Sequence, residues 1–177
     1  LFRPFNWIGP RLDSLETARI GSSRVVTKFI GELIHGEDLK LVDGGAQRRC
    51  VTYIQDGVEA LMRILENPGG ICDGRILNIG SPENDCTVEN LARMLQEMFE
   101  THPLRDAFPT AGRRSRIVSV DADAYYGEGY QDLSVRRPKI EKARALLGWE
   151  PRVPVDEALW KTLNAFLREE STSSVRT

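Results

Sequence analysis

Two adjacent arginines, Arg48 and Arg49, are the side chains in this sequence whose type and setting best suit binding of a phosphate. A guanidinium group forks onto two phosphate oxygens in a bidentate way that a lysine ammonium cannot match. Both arginines follow the glycine turn formed by residues 43–45, and glycine lets a backbone approach a ligand closely. The stretch from Lys40 to Leu61 therefore predicts a basic turn that holds a diphosphate.

Predicted strands and a helix position this turn. A short apolar strand ends at Val42, and the β-branched run 50–54 predicts a second strand. Asp56, with Glu59 three residues later, has the spacing of a capping box that opens a helix. We therefore expect Arg48 and Arg49 on a chain reversal between two strands, with a helix directly afterwards.

Asn6 is a second candidate ligand contact. It ends a predicted strand over residues 2–6, and the Trp7-to-Pro10 segment that follows is predicted to be a turn. A side chain at the end of a strand in an open α/β sheet reaches the ligand crevice. The alternative is an asparagine that bonds its own backbone within the turn.

The segment YYGEGYQDLSVRRPKI, residues 125–140, is a third candidate region. Three tyrosines and two glycines precede Arg136 and Arg137, which combines stacking surfaces with groups that bind phosphate or carboxylate. A loop of this length in a compact domain tends to be functional. We expect it to contact the same ligand as the basic turn.

Composition excludes several classes of partner. The 177 residues are 41% hydrophobic and 28% charged with a net charge of -2, which argues against a nucleic-acid or anionic-membrane surface. No apolar run approaches the roughly 20 residues of a membrane span. The three cysteines show no metal-ligand spacing and predict free thiols in the cytoplasm. His35 and His102 are predicted at helix ends on the surface, so histidine-based or metal chemistry is not expected.

Hydrophobic periodicity predicts alternating helices and short strands, and hence an α/β or α+β fold with crossover connections. The predicted helices cover residues 26–34, 58–65, 88–99, 140–147 and 155–167, with strands at 75–79 and 117–120. We expect one domain over residues 1–170 and a flexible tail over 171–177. Because an apolar strand begins at Leu1 without a cap or turn, we also expect the chain to be a piece of a longer one.

Several motifs together carry a family resemblance that covers nearly the whole chain: RPFNWIGPR, KLVDGGAQRRCVTYIQDGVEA, ILNIGSPEN, YYGEGYQD and KARALLGWEP. They resemble the C-terminal half of the extended short-chain dehydrogenases that act on nucleotide sugars. The set is most similar to the UDP-glucuronic acid decarboxylase branch found in bacterial bifunctional polymyxin-resistance proteins. Generic epimerases of the superfamily share the RxFNxxGP pattern and Asp56, but not the whole set.

The resemblance implies an NAD-dependent reaction in which the C4 hydroxyl of UDP-glucuronate is oxidised and the C6 carboxylate leaves as carbon dioxide. The product is a UDP-4-keto-pentose of the lipid A aminoarabinose pathway. By family motif Arg136 is the catalytic proton donor or electrostatic partner, and its permanent charge favours the electrostatic role. The implied substrate-binding residues are Asn6, Lys40, Leu41, Val42, Asp43, Gly44, Gly45, Ala46, Gln47, Arg48, Arg49 and Tyr130.

The implied fold is the C-terminal part of an extended short-chain dehydrogenase: the last strands and helices of a Rossmann-type sheet with the small substrate-binding α/β subdomain. The glycine-rich NAD fingerprint and the Tyr-x-x-x-Lys pair of the family do not occur in this sequence. We therefore assign no cofactor or metal residue here, and we expect the 177 residues alone to be inactive. A homo-oligomer is expected for the complete protein. Another NDP-sugar epimerase or dehydratase, or a non-catalytic nucleotide-sugar binding or assembly module, are the alternatives.

Overall fold

A computed structural model of the chain describes residues 1–20, 23–108, 114–129 and 132–173. Its α-helices are α1 (Leu15–Arg19), α2 (Val25–Ile34), α3 (Ile54–Glu66), α4 (Val88–Glu100), α5 (Ala122–Tyr126), α6 (Glu141–Leu147) and α7 (Val155–Ser173). Its strands are β1 (Phe2–Pro4), β2 (Trp7–Ile8), β3 (Leu39–Val42), β4 (Arg48–Cys50), β5 (Thr52–Tyr53), β6 (Leu77–Ile79), β7 (Asp85–Thr87), β8 (Ile117–Val120) and β9 (Val135–Arg136). Short 3-10 turns occupy Asp43–Gly45, Pro68–Gly70 and Arg105–Ala107.

The strands pair mainly in parallel. β1 pairs with β6, β2 with β5, and β3 with β8, each in parallel register. The central strand β4 pairs with β7 in antiparallel register and with β9 in parallel register. Parallel neighbours need long crossover connections, and most of these contain helices. The predicted α/β class is thus confirmed.

Two hydrophobic clusters pack the helices against the strands. In the larger one, α2, α4 and α7 bury Phe29, Leu95 and Leu163 completely. In the smaller one, Trp149 and Ile79 are completely buried between α3, α6 and the β1–β6 pair. The clusters place the start of α2 and the strands β3 and β4 around a common opening.

The predicted amphipathic helices all occur, and the structure adds two short helices, α1 and α5, and one extension. Thr87 caps α4, since its hydroxyl accepts a hydrogen bond from the amide of Asn90 at 3.1 Å. Residues 15–19, where no helix was predicted, form α1, which Ser14 caps through a capping box with Thr17. Residues 171–173, assigned to a flexible tail, are the last turn of α7. The hydroxyls of Ser171 and Thr172 donate back to the carbonyl of Arg168, which continues the helix.

The strand predictions around the basic turn were partly wrong. Trp7 and Ile8 form a strand instead of a turn, because they pair with β5. Arg48 and Arg49 lie on β4 instead of a chain reversal, because partner strands flank both sides of these residues. The reversal is confined to the 3-10 turn and to Ala46 and Gln47.

Asp56 does not open a helix. α3 begins two residues earlier, at Ile54, and Asp56 is only 3% exposed. Its carboxylate accepts hydrogen bonds from the amides of Arg152 and Val153, both at 3.1 Å. The interpretation as a capping box was therefore wrong, and Asp56 instead joins α3 to the segment that leads into α7.

His102 is also misplaced by the sequence prediction. It is 4% exposed, and its ring lies 4.7 Å from the ring of Trp160. Its Nδ1 accepts a hydrogen bond from the amide of Leu104 at 3.0 Å. The histidine is thus buried behind α4 rather than at the surface.

Candidate functional site

A cleft of about 390 Å³ opens between the first turn of α2, the strands β3, β4 and β9, and the short helix α5. Five cationic side chains and one carboxylate are among the residues that line it. The lining consists of Asn6, Ile8, Ser23, Arg24, Val25, Val26, Lys28, Lys40, Val42, Gln47, Arg49, Val51, Val88, Tyr125, Tyr126, Asp132 and Arg136. A cleft with this excess of positive charge attracts an anionic ligand.

Two arginines on neighbouring strands form one wall of the cleft. In the parallel pairing of β4 with β9, Arg49 is directly opposite Arg136. Residues in register project from the same face of a sheet, so both guanidinium groups point into the cleft. Asp132 lies between them and accepts a hydrogen bond from each.

Arg49 is the more firmly held of the two. Its side chain is 10% exposed, and its Nη1 donates to the carbonyls of Arg48 at 2.8 Å and Leu133 at 2.9 Å. Its Nη2 forms a short ion pair with Asp132. Arg136 is 47% exposed and donates from Nη2 to Asp132 Oδ1 at 3.2 Å.

The opposite wall carries two lysines around a buried carboxylate. Lys28 Nζ lies 3.6 Å from Glu32 Oε1, and the Lys40 amide donates to Glu32 Oε2 at 3.3 Å. Burial raises the pKa of the Glu32 carboxyl, and the charge of Lys28 opposes this rise. Lys28 Nζ also lies 4.3 Å from the ring centroid of Tyr125, which places an aromatic face at the rim.

Asn6 takes a turn conformation, but its side chain bonds a distant backbone carbonyl rather than its own backbone. Its φ of 43° is the left-handed turn conformation that asparagine tolerates. Its Nδ2 donates to the carbonyl of Cys50 at 3.3 Å, so the side chain ties β4 to the end of β1. Asn6 nevertheless lines the cleft and remains a proposed ligand contact.

Six of the ten residues in the predicted strip over residues 40–49 do not line the cleft. Leu41 belongs to the core, and Gly45 packs so tightly that a Cβ there would lie 2.9 Å from the amide nitrogen of Glu89. Gly44 borders open space, and Asp43 accepts a hydrogen bond from the Ala122 amide at 3.1 Å. Ala46 lines a smaller adjoining pocket of about 260 Å³, which shares Gln47 and Asp132 with the cleft. These residues shape the turn, whereas Lys40, Val42, Gln47 and Arg49 reach the cleft.

Arg48 points away from the cleft, on the other face of β4 from Arg49. Its Nε donates to both carboxylate oxygens of Asp85 at 3.1 Å. This pairing raises the pKa of the Arg48 guanidinium. Arg48 is therefore the exposed partner of a surface ion pair.

Tyr130 lies outside the residues that the structure describes. Tyr125 and Tyr126, from the same tyrosine-rich segment, line the cleft. Their rings meet edge to face with centroids 4.8 Å apart. The sequence identified this segment as a candidate region, but it gave no reason to prefer Tyr125 and Tyr126 over Tyr130. Asp132, in the same segment, was missed because its two partners come together only through strand pairing.

The Cys50 thiol, on the cleft strand β4, is not set up as a nucleophile. Burial raises the pKa of this thiol to about 11, which disfavours the nucleophilic thiolate.

Among the described residues, no group of three or more histidine, cysteine or acidic side chains is placed to hold a metal ion. Within the same residues, no helix has the length and apolarity to cross a membrane.

The described residues do not fit NAD on their own. A dinucleotide pyrophosphate is held by a glycine-rich turn that leads from a strand into a helix N-terminus. The turn Asp43–Gly45 leads from β3 towards a strand, β4. Where strands of the described chain run directly into helices, at β5–α3, β7–α4 and β8–α5, no glycine intervenes.

Comparisons with known proteins show which sequences and folds this chain resembles. Residues 1–80 match the model of the NAD dependent epimerase/dehydratase family. A crystal structure of the PbgP3 protein from Burkholderia pseudomallei superposes with a TM-score of 0.78 at 41% identity, covering 98% of this chain and 47% of that one.

Two further structures are more distant in sequence. UDP-glucose 4-epimerase from Thermotoga maritima, solved with UDP-glucose, gives a TM-score of 0.71 at 24% identity over 96% of this chain and 46% of that one. UDP-glucuronic acid 4-epimerase from Bacillus cereus, solved with UDP-glucuronic acid and NAD, gives a TM-score of 0.72 at 20% identity over 96% of this chain and 45% of that one. The fold is that of the Rossmann-like extended short-chain dehydrogenases, and the chain spans about half the length of the solved proteins that it matches.

Proposed function

We propose that the chain forms the substrate-binding part of an NAD-dependent enzyme that decarboxylates UDP-glucuronate to a UDP-4-keto-pentose. The observation that carries this proposal is the pair of guanidinium groups, Arg49 and Arg136, that faces one cleft from adjacent strands. UDP-glucuronate carries a diphosphate and a carboxylate, and arginine forks bind both kinds of anion. The superposition on a UDP-glucuronic acid enzyme of similar fold supports the choice of ligand.

The residues of the cleft divide the work of binding and catalysis in this proposal. Arg49 and Lys40 hold the diphosphate, with Asn6 and Gln47 as polar contacts and Tyr125 as a stacking surface. Bound NAD would accept the hydride from C4. Cleavage of the C5–C6 bond releases carbon dioxide and leaves an electron pair that delocalises into an enolate, and the fixed charge of Arg136 stabilises that developing charge. Uptake of a proton from solvent at C5 then gives the UDP-4-keto-pentose. Because arginine stays protonated, Arg136 acts electrostatically rather than as the acid.

We place this enzyme in the cytoplasm as a homo-oligomer, with its product entering aminoarabinose modification of lipid A. The free thiols Cys50, Cys72 and Cys86 suit a reducing compartment.

An NDP-sugar epimerase or dehydratase is the second candidate, and the family match over residues 1–80 favours it. An epimerase acting on UDP-glucuronate would keep the carboxylate and invert C4. Release of carbon dioxide therefore distinguishes the two candidates.

The test measures carbon dioxide released from carboxyl-labelled UDP-glucuronate by the longest natural chain that contains these residues. We expect stoichiometric release with NAD present, and a kcat lowered about 100-fold or more in Arg136→Ala, the size of effect of losing one transition-state charge contact. Arg137→Ala is the matched control, since Arg137 pairs across the surface with Glu83 at 4.0 Å. Inversion at C4 without carbon dioxide would establish the epimerase instead.

A further inference from the structure

Asp132 uses its two carboxylate oxygens separately, one for each arginine of the cleft. Oδ2 pairs with Nη2 of Arg49, and Oδ1 accepts from Nη2 of Arg136. The carboxylate is 19% exposed, so it sits largely out of water between the two guanidinium groups. The sequence interpretation assigned no role to this residue.

The strand register explains why such a carboxylate is needed. It places Arg49 and Arg136 directly opposite each other on adjacent parallel strands. Like charges at this position destabilise a sheet and drive the side chains apart. One carboxylate between them lowers the repulsion and still leaves a net positive charge for an anionic ligand.

The two arginines depend on Asp132 to different degrees. Two backbone carbonyls also hold Arg49, so its position survives without the carboxylate. Arg136 is about half exposed, and within the described residues its guanidinium is held through Asp132 alone. A free arginine side chain populates many rotamers, and ordering it costs conformational entropy.

We propose that Asp132 is a positioning residue that acts through Arg136, holding its guanidinium beside Arg49 so that the reacting end of the sugar meets a preorganised charge. This inference rests on the proposed function, since it assigns Asp132 to the same site.

A double-mutant cycle in the longest natural chain tests this inference, with kcat and KM for UDP-glucuronate as readouts. We expect Asp132→Asn to lower kcat about 10- to 100-fold, the range expected when a catalytic group is misplaced, and to change KM less than about threefold. In an Arg136→Ala background, the same substitution should lower kcat by an additional factor of less than about three, because Asp132 acts only by positioning Arg136.

Asp85→Asn is the matched control. The side chains of Asp85 and Arg48 are 18% and 45% exposed, nearly the same as the 19% and 47% of Asp132 and Arg136. The Asp85–Arg48 pair, however, lies on the other face of β4. The control should leave both kinetic constants within about twofold, as expected for loss of a surface ion pair. If Asp132→Asn does not fold, Asp132→Glu replaces it in the cycle, because it keeps the charge but displaces it by one methylene group.

Two results would overturn the inference: an equal loss of kcat in the presence and absence of Arg136, or a loss confined to KM. Failure of the proposed function is recognised separately, as a wild-type protein that releases no carbon dioxide. The cycle is then read on kcat for C4 inversion, where the same non-additivity is expected, and a wild-type protein that shows neither reaction would overturn both proposals.

Discussion

Arg48 and Arg49 point to opposite faces of β4 because successive side chains of a strand alternate. Arg49 faces the cleft and Arg48 pairs with Asp85 outside it. We expect Arg49→Ala to weaken UDP-glucuronate binding about tenfold or more, since a hydrogen bond from a charged donor contributes about 1.5–3 kcal/mol. Arg48→Ala is the control and should change affinity less than about twofold. Calorimetric titration of both variants measures the difference, and equal losses would show that the cleft is wrongly placed.

The burial of His102 predicts that the stability of the protein depends on pH. Burial lowers the pKa of the imidazole, the charge of Arg168 lowers it further, and the nearby side chain of Asn164 partly offsets both. The unfolded state, with an ordinary pKa of about 6.5, then binds the proton more tightly than the folded state. The stability that neutral His102 contributes is thus fully present above about pH 6.5 and is lost as the pH falls below it.

Urea unfolding between about pH 5 and pH 7.5 measures this dependence. We expect His102→Gln to flatten the decrease in unfolding free energy on the acid side. His35→Gln, at the exposed end of α2, is the control and should keep the wild-type decrease. A wild-type decrease retained in His102→Gln would assign the effect to other groups.

At the level of elements, Asp56 fastens α3 to the chain that precedes α7. Its carboxylate accepts the amides of Arg152 and Val153, and its carbonyl accepts Nε1 of the buried Trp149 at 3.0 Å. We expect Asp56→Ala to reduce the free energy of unfolding by about 2–4 kcal/mol, because the partly buried backbone amides of Arg152 and Val153 lose their acceptor. Glu59→Ala, which removes a half-exposed pair with Arg63, should cost less than about 0.5 kcal/mol. Equilibrium urea unfolding compares the two, and similar costs would show that the hydrogen bonds of Asp56 to Arg152 and Val153 contribute little to stability.

The helices could be predicted because their signal is local. Apolar residues recur every three or four positions along α2, α4 and α7, and the Thr87 cap adjoins its helix. The strands are only two to four residues long, and their partners lie far away in the sequence. Asp56 shows the same limit, since its spacing to Glu59 matched a cap while its real partners lie almost a hundred residues away.

The same distinction between local and distant signals applies to the site. Residue type and family motif identified Asn6, Arg49 and Arg136 as candidate site residues, and all three line one cleft in the structure. Which of two adjacent arginines faces that cleft depends on strand register, as does the position of Asp132. Register is set by contacts between distant segments, so no local pattern revealed it.

At the scale of the whole molecule, the described residues form a cleft lined by cationic side chains, but no glycine-rich turn that leads directly from a strand into a helix. We therefore expect the 177-residue chain to be stabilised by UDP-glucuronate and not by NAD. A ligand that binds only the folded state at about 100 times its dissociation constant adds about 2.7 kcal/mol to the free energy of unfolding. Thermal unfolding with each ligand in turn measures this, and the Arg49→Ala chain, checked first for folding, should lose most of the shift. A comparable shift with NAD would mean that these residues hold the cofactor after all, and the division of labour proposed here would then be wrong.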